Sequence, residues 1–126
     1  GSFGRILGGH NVTGGGATIQ RTITDLIPHT EVRVTFDFIK IDSWDSEYGY
    51  LYIDNIYTWS HYGHGHDGSY ICGWGYSNGW GHDERWSANV QINHNSSSMY
   101  LHFTTDLDQN SGDESWGIDN VYVWVR

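Results

Sequence analysis

The chain has 126 residues, a net charge of −9, one lysine and five arginines. So few cations exclude a surface that neutralises the phosphates of nucleic acid or of an anionic membrane. The length is that of one domain, and no apolar run is long enough to span a bilayer.

Seventeen glycines and a single proline, with abundant Asn and Ser, predict many turns and few helices. Residues 1–10 read as an N-terminal extension or exchanged strand able to dock on a neighbour, and 11–126 as the domain itself. The chain does not begin with Met and reads as a mature or excised piece. A first strand is predicted near 17–24. In EVRVTFDFIK, from Glu31, Val32, Val34, Phe36 and Phe38 share one face against Arg33, Thr35 and Asp37, the period of a half-buried strand. Further strands are predicted near 48–54, 56–60 and 69–73. Trp86, Ala88, Val90 and Ile92 alternate with polar residues, as do Met99, Leu101 and Phe103, and the chain closes on a strand over 117–125. Short strands at even spacing, joined by Gly/Asn/Asp/Ser loops, predict an all-β fold, an antiparallel β-sandwich.

Three groups of carboxylates interrupt this pattern: Asp42, Asp45 and Glu47 after the 31–41 strand; Asp106 and Asp108; and Asp113, Glu114 and Asp119 around the last strand. Parity places Asp42 with Phe36 and Phe38, and Asp119 with Val121, Val123 and Val125. An inward carboxylate without a partner is costly, and six basic residues cannot pair fifteen acids. A hard cation held by oxygen ligands, Ca2+, resolves this. The simpler alternative is solvated loop acids, with Asp119 bonded to backbone amides.

Taken together, LGGHNV, FIKIDSWDSE, CGWG and LHFTTDLDQNSGDESWGIDNVYV resemble a jelly-roll module of large surface proteins from ciliates and other microbial eukaryotes, with relatives among secreted bacterial proteins. The resemblance covers nearly the whole chain. It implies a jelly-roll β-sandwich, extracellular or on the cell surface, without catalytic activity. More distantly the chain is similar to carbohydrate-binding jelly rolls in which an Asp near the start of the last strand holds a structural Ca2+. That role falls on Asp119, with Asp42, Asp45 and Asp113 as co-ligands and Glu47 and Glu114 beside them.

The histidine-rich loop is not part of that resemblance. His61, His64 and His66, with Asp67, Cys72 and His82, are residue types that suit Zn2+ or Cu2+. The intervening glycines fix no geometry, and a hydrogen-bonding Gly/His loop is the simpler reading. Cys72 reads as a small core residue, and being the only cysteine it forms no disulfide within the chain. Asn11 and Asn95 head N-glycosylation sequons. Tyr48, Tyr50, Tyr52, Trp59, Trp74 and Trp80 are candidates for stacking on sugar rings or for burial between subunits, against the alternative of burial inside the sandwich.

Paired carboxylates also suit glycoside hydrolysis, yet their setting favours a cation, and no nucleophile elbow or phosphate-binding loop accompanies them. Two functions follow as expectations: a calcium-stabilised structural subunit of a surface coat or fibril, whose partners are copies of itself or neighbouring domains, and a lectin-like glycan-binding domain.

Overall fold

The structure is a computed structural model, which describes residues 5–71 and 81–126. Eight strands form within it: β1 Leu7–Gly8, β2 Ile19–Ile23, β3 Glu31–Asp42, β4 Asp45–Ile53, β5 Ile56–His64, β6 Glu84–Asn93, β7 Met99–Thr105 and β8 Glu114–Val125. They build two four-stranded antiparallel sheets, ordered β1-β8-β3-β6 and β2-β7-β4-β5. The pairs β1·β8, β2·β7, β3·β6 and β4·β5 are each neighbours. That nesting is one long antiparallel ribbon wrapped around a barrel axis, the jelly-roll form of the sandwich.

Alternation decides which residues enter the core. Val32, Val34, Phe36 and Phe38 of β3 are buried against Leu51 and Ile53 of β4 and Met99, Leu101 and Phe103 of β7. Each such side chain contributes roughly 1.5–3 kcal/mol by leaving water. Around Phe38 the packing is aromatic: its ring stacks on Trp116 at 5.2 Å and Trp86 at 5.6 Å, with Trp44 edge-on at 6.2 Å. Gly49 of β4 lies beneath this ring, where a Cβ would come within 2.7 Å of it, so the strand needs a glycine there.

Residues 7–8, within the stretch expected as an extension, pair with Gly117 and Ile118 of this same chain. The strand expected near 69–73 does not form as far as it is described: Ser69 makes an isolated bridge to Asp83, and Ile71 donates its amide to the Asp83 carboxylate. Side-chain capture by a buried acid replaces ladder pairing there.

Parity fails at one point that bears on the site. Thr35 opposes Tyr122 but Asp37 opposes Asp119, so β8 carries an extra residue between them. Asn120 absorbs it with a φ of 51°, a conformation Asn tolerates better than most residues. Before this bulge Trp116 and Ile118 face the core; after it Val121, Val123 and Val125 do. Asp119 therefore does not share the valine face. It sits beside Asp37 on the opposite side, where Asp37 accepts hydrogen bonds from Arg85, Ser87 and Asn120.

Candidate metal centre and tyrosine face

At one end of the sandwich the start of β4, the 106–113 loop and the start of β8 converge. Trp44 Nε1 donates to the Ser115 carbonyl at 2.9 Å, and Ser43 Oγ donates to the Asp113 carboxylate at 2.8 Å. These bonds pin the β3–β4 connection against the entry to β8. Beside them Asp45, Glu47, Asp108 and Glu114 each bring a carboxylate oxygen into a group whose members all lie within 4.8 Å of one another. Asp45 and Glu47 flank a bulge at Ser46, whose φ is 98°. Backbone held in that region by a residue other than glycine is strained, a feature that concentrates at functional sites.

The group is half buried and half open. Asp45 and Asp108 are exposed, Glu47 is 7% exposed and Glu114 is fully buried. Glu47 accepts a 2.6 Å hydrogen bond from the Asp45 amide. Neither Glu114 oxygen has a hydrogen bond of good geometry; the nearby Gln109 amide favours the ionised form, against burial and the Asp45 charge. Burial, then the neighbouring Asp45 side chain, push Glu47 up to about 8. Burial, then the charge of Asp45, push Glu114 up to about 7. Carboxylates crowded in low dielectric cannot all ionise unless positive charge joins them. This acidic group could hold a metal ion, and all its donors are oxygen.

Of the candidate ligands read from the sequence, the structure brings Asp45, Glu47 and Glu114 together and leaves three outside. Asp42 is paired with His10 at 2.9 Å. Asp113 receives the Ser43 hydroxyl. Asp119 lies five residues along β8 from Glu114, roughly 16 Å at the usual strand rise. Its carboxylate caps the Asn120 amide at the bulge. The fourth member, Asp108, is a loop acid outside the ligand set that the sequence predicts. Its only sequence signal is the acidic run DLDQNSGDE, and nothing in that run says which acid turns toward β4.

The outer face of the β2-β7-β4-β5 sheet is tyrosine-rich. Tyr48, Tyr50 and Tyr52 project along β4, with ring centroids 6.1 Å apart at each step. Tyr62 and Tyr57 of β5 flank them at 5.5 and 6.3 Å, and His102 and Tyr100 of β7 continue the surface. Tyr48, Tyr57 and Tyr62 are 39%, 58% and 43% exposed. Hydroxyls are held in place: Tyr50 donates to Asp106, Tyr62 to Ser46, and Tyr57 bonds Ser60. Trp59 is not on this surface. It pairs with Leu51, whose side chain points inward, and packs edge-on against Phe36 at 5.0 Å. Trp74, Trp80 and Cys72 lie outside the described residues.

The histidines divide among separate tasks. His61 stacks on Trp86 at 4.2 Å, the His64 and His66 rings lie 5.4 Å apart, and His82 bonds the His66 carbonyl through Nδ1. The residue that organises this loop was missed: Lys40, fully buried, donates through Nζ to the carbonyls of His64, Asp67 and His82. Burial lowers its pKa, opposed by the charges of Glu84, Asp67, Asp83 and Asp42. Inward parity with Phe36 and Phe38 was its available signal. The sequon residues Asn11 and Asn95 are both exposed.

No family model matches the chain, and no curated protein sequence does. Among solved structures, the C-terminal domain of EclA, described as a sugar-binding protein, is similar over 95% of this chain and 77% of its own, with TM-score 0.62 and 14% identity. The dimeric latent PorU of Porphyromonas gingivalis is similar over 92% of this chain, with TM-score 0.56 and 12% identity, and the match spans 11% of that protein. At such identities the likeness is one of fold. Among the described residues no helix is long and apolar enough to cross a membrane.

Proposed function

We propose that the chain is a non-catalytic, extracellular glycan-binding module whose sugar-facing surface is the tyrosine sheet and whose acidic end carries a structural Ca2+. The observation that carries the reading is the run of partly exposed tyrosines on one flat sheet face, their rings free to stack on sugar rings and their hydroxyls anchored by hydrogen bonds. A sugar-binding protein among the similar folds supports it. For the metal, Asp45, Glu47, Asp108 and Glu114 supply oxygens within 4.8 Å of one another. Ca2+ takes roughly six to eight oxygen ligands, carboxylates among them, which suits an all-oxygen group of four acids. When bound, the cation supplies the positive charge that the buried Glu114 otherwise lacks. The burial of Glu47 and Glu114 leaves no room for a sugar ring between them, which argues against using them as a hydrolytic pair.

The test is a polysaccharide binding screen with Tyr50→Ala and a Tyr48→Ala/Tyr62→Ala pair. Loss of a stacking ring costs about 1 kcal/mol, a roughly five-fold weakening per tyrosine, with the melting temperature kept. Unchanged affinity in both variants, or no binding to any neutral or amino glycan, refutes the tyrosine surface. The surface-coat reading keeps one specific support, a stretch of β8 edge that no strand among the described residues covers.

A further inference from the structure

β8 continues to Val125, yet β1 pairs only with its Gly117 and Ile118. Among the described residues, β8 from Asp119 onward has β3 on one side and no strand on the other. Exposed backbone donors and acceptors of this kind are a template for an added strand. Beside that edge the two sheets gape. Leu7, Ile19, Ile23, Phe103, Val121 and Val123 line a cleft of about 390 Å3, within the range of ligand pockets. Leu7, at its mouth, is 61% exposed.

The charge at this cleft is opposite to that of the chain. Arg21 faces inward from the edge strand β2, between Ile19 and Ile23, and lines the cleft. Arg5 and Arg21 both line the adjoining hollow with Asp119, Asn120 and Val121, two cations against one carboxylate. Neither has a carboxylate partner among the described residues, although the chain carries fifteen acids. An inward arginine on an edge strand ordinarily deters strand pairing. Here it deters cationic and uncharged strands while leaving an acidic one favourable.

We propose that this edge and cleft accept an extended acidic segment of another protein chain, added as a strand beside β8. Apolar side chains at alternate positions fill the cleft, and carboxylates meet Arg5 and Arg21. Main-chain hydrogen bonds supply affinity and the alternate side chains supply specificity, as in other strand-addition complexes. The site lies on the inner side of β2 and β7, away from the outward tyrosines of β4 and β5, and does not depend on the glycan reading.

The test uses the whole chain and two synthetic peptides, each long enough to span residues 119–125, one alternating Val and Glu and one alternating Val and Lys. The Val–Glu peptide is expected to bind, with amide shifts and exchange protection confined to β8 beyond Ile118 and to β2. Two surface ion pairs are worth about 1.4 kcal/mol together, so Arg5→Glu/Arg21→Glu is expected to weaken binding about ten-fold. Leu7→Ser removes an apolar wall of the cleft at an exposed position and is expected to weaken it too while the melting temperature holds. No binding, equal binding of the Val–Lys peptide, or shifts mapping to β4 and β5 overturn the proposal. So does self-association of the chain through β8 that the peptide does not displace.

Discussion

Glu114 is the most exacting position in the metal centre. A carboxyl held at about 7 in the fold and at 4.5 when unfolded costs about 3 kcal/mol once ionised, at about 1.36 kcal/mol per pH unit. The sign is opposite to that of an ion-paired carboxylate. Below pH 4.5 the group is protonated in both states and costs nothing. Between pH 4.5 and about 7 the unfolded chain gives up this proton while the fold, under burial and neighbouring charge, retains it, so stability falls across that interval and the loss is complete above it. Glu47, held at about 8, adds to the loss in the same window, though the two are coupled and do not sum. In EDTA, therefore, the melting temperature is expected to drop between about pH 5 and about pH 8, by roughly 10 °C at 3–5 °C per kcal/mol for a domain of this size. Calcium in hundred-fold excess over its Kd returns about 2.7 kcal/mol of stability, most of what was lost. Glu114→Gln removes the ionisation, so at about pH 8 in EDTA it is expected to melt roughly 5–10 °C above the wild type and to gain little from calcium. Differential scanning calorimetry across pH, with and without calcium, reads every term. A wild-type melting temperature that stays flat with pH in EDTA and does not respond to calcium refutes the reasoning.

Asp119→Ala is expected to leave the calcium response intact, because its carboxylate caps a bulge far from the acidic cluster; a lost response in calorimetry places Asp119 back among the ligands. Gly49→Ala puts a Cβ 2.7 Å from the Phe38 ring, which is clamped between Trp116 and Trp86. The overpacking is expected to cost about 1–3 kcal/mol by urea denaturation. Lys40→Met strands three carbonyl acceptors in the His64, Asp67 and His82 segment. At about 1 kcal/mol each the loss is about 3 kcal/mol, and hydrogen exchange in 64–71 is expected to rise with it.

Alternation along β3, β6 and β7 is written in the residues themselves, because a half-buried strand leaves no other arrangement of apolar and polar side chains. Those runs determine the sandwich and its core, Val32 to Phe38 facing Met99 to Phe103. The crowding of acids at the ends of two strands likewise shows in the sequence, and with it Asp45, Glu47 and Glu114. Which acids meet was decided in three dimensions. A single extra residue at Asn120 reverses every side chain that precedes it relative to those that follow, so Asp119 leaves the valine face that its parity assigned. Asp108 joins the cluster because the 106–113 loop packs against the start of β4, a contact between segments distant in sequence that no local pattern encodes. The tyrosines were visible as a stripe on β4. Only the pairing of β4 with β5 and β7 turned that stripe into a surface, because neighbours across strands are fixed by register rather than by sequence order.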